Sequence, residues 1–171
     1  MKGAANSCAR DAFPQRMIVS WFLVSTLVTV AWFRFGMNDL SEFLRTYYEA
    51  WSSQDPENVV RFFCDDAVFE DLAFEAVFTG RAEIRSFVDL TYAGVPDFRV
   101  IPSKIFGDHE NAAAEWVMSG THAGDMPGLP ATGKPFEIRA TSIVRVREGL
   151  IERITDYWNL NSFRRIVGID R

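Results

Sequence analysis

The chain has 171 residues, of which 48% are hydrophobic and 24% charged, and this length and composition predict one globular domain and exclude a disordered chain. Its net charge of −5 argues against a nucleic-acid partner, because contact with phosphates needs a basic surface. Two cysteines and two histidines are too few for a disulfide framework, a four-cysteine zinc site or a histidine-rich metal site, so we expect no metal ion.

The first 36 residues differ in composition from the rest of the chain. Residues 17–33 carry no charge, and Lys2, Arg10 and Arg16 precede them, as in a signal segment or a membrane anchor. A helix of this length would span ~26 Å, slightly less than the ~30 Å hydrocarbon core of a bilayer. No small-residue cleavage site follows, which favours an uncleaved anchor over a secretory signal.

Three interpretations of this leader stay open: translation upstream of a natural start at Met37, a membrane anchor, or an extra helix packed on the domain. We favour the start at Met37, because Asp39 is placed as a helix N-cap and Glu42 follows three residues later. The predicted organisation is a leader, residues 1–36, and a domain, residues 37–171. We expect a cytoplasmic protein, with membrane anchorage through residues 17–33 as the alternative.

The first half of the domain is predicted to contain three helices and one hairpin. Residues 39–53 form the first helix, because apolar side chains recur there at helical spacing: Leu40, Phe43, Leu44, Tyr47 and Trp51. A second helix starts at Pro56 and runs to about Cys64. Residues 67–71 and 74–78 alternate as a strand hairpin, and residues 81–92 return to helical spacing.

The second half is predicted to consist of four strands and a short tail. The strands cover residues 98–106, 112–123, 136–147 and 150–158, and Pro102 indicates a bulge or an edge position in the first of them. The tail, residues 159–171, has the pattern of about one helical turn. Because helices and antiparallel strands are segregated along the chain, we predict an α+β fold in which a curved antiparallel sheet packs on helices and encloses a pocket.

Side chains on alternate strand positions share a face of the sheet, and this rule gathers the candidate site residues. The predicted inner face carries Trp116, Met118 and His122 on one strand, Ser142 on the next, Asp156 and Trp158 on the last, and Phe69 and Asp71 on the first. Two carboxylates therefore lie on apolar faces, where burial raises the pKa of a carboxyl group towards neutrality. Such a group is a candidate general acid or base.

Each of these residues also has a structural interpretation. Asp71 and Asp156 are then strand-end carboxylates that are hydrated or paired with arginine. His122 is then a hydrogen-bonded histidine at the rim, and Tyr47 packs in the core as one member of the first helix's apolar stripe. The alternation of residues does not decide between the two interpretations.

Three stretches of the domain resemble the nuclear transport factor 2-like superfamily and, within it, the SnoaL-like polyketide cyclases. Residues 47–71 are similar to the superfamily's opening helices and first strand, and residues 78–87 to its third helix. Residues 120–140 and 145–158 resemble the long hairpin and final strand of the cyclase subgroup. The resemblance covers roughly residues 38–165.

The resemblance implies a cone-shaped α+β fold, dimerisation through the sheet, and no metal or organic cofactor. It also implies intramolecular aldol condensation, in which an acidic residue removes and returns protons. Asp156 matches the final-strand carboxylate of the cyclases, whereas Asp71 and Tyr47 match the base and the oxyanion-binding tyrosine of ketosteroid isomerases. The isomerases' second oxyanion acid falls at Ser142, and the Arg-x-Asp pair of limonene epoxide hydrolases falls near Ala140 and Ser142, so neither of those activities is fully matched.

The combined prediction is a small, cofactor-free lyase or isomerase that cyclises an apolar carbonyl compound. The predicted catalytic residues are Asp156, Asp71, His122 and Tyr47, and the predicted substrate-binding residues are Trp116, Met118, Ser142, Trp158 and Phe69. The expected partners are an apolar small molecule and a second copy of the chain. The alternatives are an epoxide hydrolase, dehydratase or isomerase of the same fold, and a non-catalytic ligand-binding or dimerisation module.

Overall fold

The computed structural model describes residues 40–169. The predicted leader of residues 1–36 lies outside these residues and stays a prediction. Among residues 40–169, every helix is too short or too polar to reach across a bilayer.

The described chain contains four α-helices, one short 3-10 helix and six strands. In chain order these are α1 (40–50), the 3-10 helix Trp51–Ser53, α2 (Pro56–Val60), β1 (Phe63–Asp71), β2 (Ala76–Thr79), α3 (Gly80–Gly94), β3 (Arg99–Gly107), β4 (Asn111–Thr121), β5 (Pro135–Arg147), β6 (Leu150–Tyr157) and α4 (Leu160–Val167). The segregation of helices and strands confirms the predicted α+β class.

The six strands form one curved, unclosed sheet in the order β2-β1-β6-β5-β4-β3. Neighbouring strands are antiparallel with one exception: β1 and β6 run parallel, with Asp71 opposite Asp156. The predicted curved antiparallel sheet is confirmed with one parallel pair added, which the sequence pattern does not predict because a hairpin pattern reveals only strands that are consecutive in the chain. The parallel pair joins the first long strand to the last one.

The second helix is shorter than predicted. Asp55 caps it, its side chain accepting a hydrogen bond from the Glu57 amide at 3.0 Å, and Pro56 fits the first helical position. The helix ends at Val60, and Phe63 and Cys64 already belong to β1. A short apolar run fits a helix or a strand equally well, and pairing of Phe63 with Ile151 of β6 decides for the strand.

The C-terminal segment forms a complete helix instead of the single predicted turn. The Asn159 side chain accepts a hydrogen bond from the Ser162 amide at 3.0 Å, and Gly168 ends the helix with a positive φ of 76°. Phe163 and Val167 face inwards and are buried. α4 therefore packs against the sheet and adds an aromatic side chain to the interior.

The helices cover one face of the sheet and leave the other open. Leu44 of α1 and Ile84 and Val88 of α3 are fully buried against inward-facing sheet residues such as Phe69 and Ile154. On the opposite face, large apolar side chains are about half exposed: Ile101, Ile143 and Tyr157. The functional interior therefore lies between the helices and the concave face.

We predict that a chain starting at Met37 folds cooperatively, because the first buried residue of the described core is Leu40. The measurement is a thermal unfolding curve of that shortened chain beside the full-length protein, with both kept in the same buffer. Insolubility of the shortened chain, while the full chain stays soluble without detergent, would show that residues 17–33 instead pack on the domain.

Candidate active site

A cavity of about 660 Å³, counting its open mouth, lies between the helices and the concave face of the sheet. Its wall is mostly aromatic, with contributions from α1, α3, α4 and five strands. Besides two tyrosine hydroxyls, the polar lining groups are Asp71, Thr91 and Asp156, and no lysine, arginine or histidine of the described chain lines it. A cavity with this apolar lining suits a small organic molecule.

Asp156 lies on β6 and is held from the neighbouring strand β5. Its Oδ1 accepts a hydrogen bond of 2.5 Å from the Ser142 hydroxyl, and the Ser142 oxygen accepts one of 2.8 Å from the Trp116 indole. Ser142 and Asp156 are direct register partners, whereas Trp116 reaches Ser142 from two residues along β4. All three side chains are buried, so this network is shielded from solvent.

Burial raises the pKa of Asp156 from its ordinary value of 3.8 to about 8. The hydrogen bond from Ser142 lowers this pKa and the nearby charge of Asp71 raises it, but the loss of hydration is the largest effect. At pH 7 the carboxyl is therefore mostly protonated. A group with this pKa can take up and give back a proton near neutral pH.

Asp71 lies beside Asp156 but has a different environment. Its Oδ1 accepts hydrogen bonds from the backbone amides of Ala73 and Phe74 at 2.9 and 3.0 Å. The Trp158 indole contacts both oxygens, at 3.1 and 3.0 Å. Burial raises the pKa of Asp71, and these three donors lower it. Neither Asp71 nor Asp156 takes part in an ion pair with any residue from 40 to 169.

Two tyrosines of α1 line the same cavity. The resemblance to ketosteroid isomerases predicts a site role for Tyr47, whereas Tyr48, one residue off the apolar stripe of α1, is not predicted. The Tyr48 hydroxyl is buried and makes no hydrogen bond of normal geometry within the described chain, although Ser142 is close enough to lower its pKa. Burial, followed by the charge of Asp156, raises the pKa of both phenols, so both remain protonated donors.

His122 is not brought into the cavity lining. β4 ends at Thr121, so His122 lies in the following loop and not on the strand where alternation placed it. It is fully buried, its ring meets Phe163 edge to face at 5.3 Å between centroids, and its Nδ1 lies 3.3 Å from the Thr132 hydroxyl. His122 therefore packs behind the cavity wall and connects the loop to α4.

The predicted substrate-binding residues divide into two groups. Four line the cavity as predicted: Phe69, Trp116, Met118 and Trp158. Ser142 lies behind Asp156 and binds the carboxyl group instead of facing the cavity. Phe163 of α4 and Met126 of the loop after β4 also line the cavity, and their positions outside the predicted strands hid them from a search based on strand faces.

Metal-binding side chains are sparse in this region. Residues 40–169 contain no cluster of three or more histidine, cysteine, aspartate or glutamate side chains arranged to hold a metal ion.

We predict that Asp156→Asn becomes progressively more stabilising as the pH rises. The folded-state pKa lies above the ordinary value, so the folded protein binds the extra proton between pH 3.8 and about 8. The free energy of unfolding then falls as the pH rises across this window, by up to ~1.4 kcal/mol per pH unit for one group. Asparagine has no such proton to lose. The melting temperature of the Asp156→Asn variant should therefore approach the wild-type value at pH 5 and exceed it at pH 8.

The control for this measurement is Asp89→Asn, which changes an exposed aspartate of α3. Its melting temperature should follow the wild-type value at every pH. Parallel curves for Asp156→Asn and the wild type would mean that Asp156 titrates normally in the folded protein.

Comparison with known proteins identifies the family. The family model for SnoaL-like polyketide cyclases matches residues 41–165. The chain is 30% identical over 104 residues to the cyclase aurE of Calcarisporium arbuscula, a match covering 60% of this chain and 74% of that protein.

Solved structures share the architecture. A protein of ketosteroid isomerase-like fold from Catenulispora acidiphila superposes with a TM-score of 0.68 at 24% identity, covering 75% of this chain and 94% of that one. A proposed polyketide cyclase from Xanthomonas campestris pv. campestris gives 0.66 at 25% identity, covering 77% and 98%. These matches, together with the family model, show that the chain belongs to the SnoaL-like polyketide cyclase family and is an enzyme of the cyclase or isomerase type.

Proposed function

We propose that the protein closes a ring in an apolar polycarbonyl compound by intramolecular aldol condensation, with Asp156 as the proton-transfer residue. The observation that carries this proposal is a buried carboxyl group, free of any ion pair with described residues, whose pKa is raised to about 8 in the wall of an aromatic cavity. Proton abstraction from carbon next to a carbonyl requires a base of about this strength in a site without bulk water.

The proposed reaction needs only proton transfers and one new carbon–carbon bond. The ionised Asp156 takes a proton from a carbon that lies between two carbonyl groups, which leaves an enolate. The enolate carbon attacks a second carbonyl carbon of the same molecule, and the electron pair of that C=O bond moves to its oxygen. The resulting alkoxide takes the proton back from Asp156, so the enzyme returns to its starting state.

Two further groups support the enolate in this proposal. The Tyr47 and Tyr48 hydroxyls line the cavity and stay protonated, so either can donate a hydrogen bond to the oxygen on which negative charge develops. Donors aimed at such an oxygen contribute ~3 kcal/mol each. Asp71 acts in this scheme as a second acid or base, and His122, which lies outside the lining, has no direct contact with substrate.

The cavity wall supports an apolar and partly aromatic substrate. Trp116, Trp158 and Phe69 present ring faces or edges to the interior, while the two buried carboxyls disfavour an anionic group next to them. The substrate that fits is therefore an uncharged molecule with several carbonyl oxygens, as the family's description suggests.

We predict that Asp156→Asn lowers the rate of ring closure by on the order of a hundredfold or more, because an amide keeps the shape but cannot accept the proton. Asp71→Asn should cost less, and the exposed Asp89→Asn should match the wild type. The assay follows disappearance of polycarbonyl substrates by mass-detected chromatography, in which the cyclic product has the mass of the substrate and a different retention time. The wild-type rate should rise with pH up to about 8, where Asp156 becomes ionised.

Other outcomes would reassign the roles. If Asp156→Asn keeps full turnover and Asp71→Asn abolishes it, Asp71 is the principal base. If neither substitution changes turnover, the cavity is a binding site without acid–base catalysis.

We also propose that two copies pair through the open face of the sheet. Thr121, Ile143 and Tyr157 lie on adjacent long strands and point outwards, and Ile143 and Tyr157 are about half exposed. Burying such side chains against a second copy would remove apolar surface from water.

We predict a dimeric mass by light scattering at protein concentrations of about tens of micromolar, in the range where interfaces of standard size associate. Ile143→Glu should shift the mass to that of a monomer, because it places two like charges across a two-fold contact. The matched control is Glu75→Gln, at an exposed turn away from this face. A monomeric mass for the wild type would contradict the proposal.

A further inference from the structure

The two carboxyl groups of the cavity differ in how many of their oxygens accept a hydrogen bond from the protein. Both oxygens of Asp71 accept a hydrogen bond from the Trp158 indole N–H, and its Oδ1 also accepts hydrogen bonds from two backbone amides. Asp156 receives one donor, the Ser142 hydroxyl, on Oδ1. Its Oδ2 has no hydrogen-bond partner among residues 40–169, so it is the single unoccupied carboxyl oxygen of the pair.

When Asp156 is ionised, chemistry fixes the direction of the hydrogen bonds that reach it. An indole N–H can only donate, so Ser142 must use a lone pair to accept from Trp116. The Ser142 hydroxyl has one hydrogen, and its hydrogen bond of 2.5 Å runs to Asp156 Oδ1. In that form the hydrogen therefore points from Ser142 to Oδ1, and Oδ2 is the carboxylate oxygen left to take up a proton from the cavity.

We propose that Trp116 and Ser142 are positioning residues that hold Asp156 through Oδ1 and so direct proton transfer to Oδ2 alone. The catalytic meaning of this inference rests on the proposed role of Asp156. Ser142 touches the carboxyl from the side of β5, and Trp116 sets the orientation of the Ser142 hydroxyl from β4. Three adjacent strands thus define one oxygen as the acid–base atom.

The arrangement has a measurable consequence for the ionised form. A hydroxyl that donates a hydrogen bond to a carboxylate stabilises the negative charge. When that hydroxyl itself accepts a hydrogen bond, as Ser142 does from Trp116, its bond to the carboxylate becomes stronger. Removing Ser142 should therefore make Asp156 harder to ionise, beyond the effect of burial. Removing only the Trp116 N–H should act in the same direction and by less.

The experiment is an infrared titration of the full-length protein without substrate. A buried protonated carboxyl group gives a C=O stretching band that disappears on ionisation, and its loss in Asp156→Asn assigns the band. In the wild type the band should disappear around pH 8 and lie at the lower frequency of a hydrogen-bonded carbonyl. Its position reports the Ser142 contact directly.

Four variants test whether Ser142 and Trp116 position Asp156. Ser142→Ala should move the band to higher frequency and shift its titration upwards by ~1 pH unit, the worth of one lost hydrogen bond. Trp116→Phe keeps an aromatic ring and should give a smaller shift in the same direction. Ser142→Thr keeps the hydroxyl and should restore both values. Thr141→Ala, on the outward-facing neighbour in β5, should leave them at wild-type values.

Unchanged band position and titration in Ser142→Ala would overturn the proposal. If Ser142→Ala fails to fold, two other results would overturn the proposal. One is a wild-type band frequency and titration in Trp116→Phe. The other is loss of the hydrogen-bonded band in Ser142→Thr, which keeps the hydroxyl. Because the titration needs no substrate, this test is separate from the proposed function. A fully active Asp156→Asn would refute catalysis by Asp156 without affecting the proposed positioning by Ser142 and Trp116. A wild-type titration in Ser142→Ala, together with an inactive Asp156→Asn, would refute the positioning and leave catalysis by Asp156 supported.

In activity assays, the positioning role predicts a displaced pH profile. The rising limb of kcat for Ser142→Ala should move to higher pH, with KM largely unchanged, and Ser142→Thr should return it. A purely structural role would lower the amount of folded protein without moving that limb.

Discussion

The parallel pairing of β1 with β6 is the constraint on which the site depends. It brings the first long strand of the sheet against the last, so that Asp71 and Asp156 become register partners although 85 residues separate them. The Leu72 amide donates to the Asp156 carbonyl at 3.1 Å, which continues the pairing into the turn after β1. Without this pair the concave face would be divided, and the two carboxyls would not share one cavity.

Placing two carboxyl groups side by side in an apolar interior is costly, because each charged form loses its hydration and repels the other. This cost is reduced because the two carboxyl groups accept different numbers of hydrogen bonds. Asp71 has three donors, which favour its anion, whereas Asp156 has only one, and burial keeps it mostly protonated at neutral pH. Pairs of titratable groups with opposite environments are typical of acid–base sites.

Much of the fold and part of the site could be predicted from one sequence. Alternation along the long strands β4 and β5, where one side is buried and the other is not, placed Trp116 and Met118 on the inner face. The same rule placed Asp156 of β6 on that face, although Ile154, Thr155 and Asp156 are all buried there. The family resemblance supplied the cone-shaped architecture, which the solved structures confirm. Catalytic roles remain predictions until the substitutions are assayed.

The remaining features depend on contacts that alternation cannot encode. His122 lies one residue past the end of β4, so the rule that placed it inwards no longer applied. Trp116 faces Ala140 in the register but bonds diagonally to Ser142, a partner that no single strand pattern specifies. Tyr48 is buried beside Tyr47 because α1 is covered on more than one side. Each of these results from three-dimensional packing of elements that are far apart in sequence.

The irregular edge strand β3 determines how copies of this protein can meet. Pro102 lacks an N–H, the register slips between Pro102 and Lys104, and Ser103 turns its hydroxyl back to the Glu115 carbonyl at 3.0 Å. A foreign strand cannot form a regular ladder along such an edge, and a nearby lysine adds repulsion between like copies. The β3 edge is therefore a poor template for the addition of a further strand.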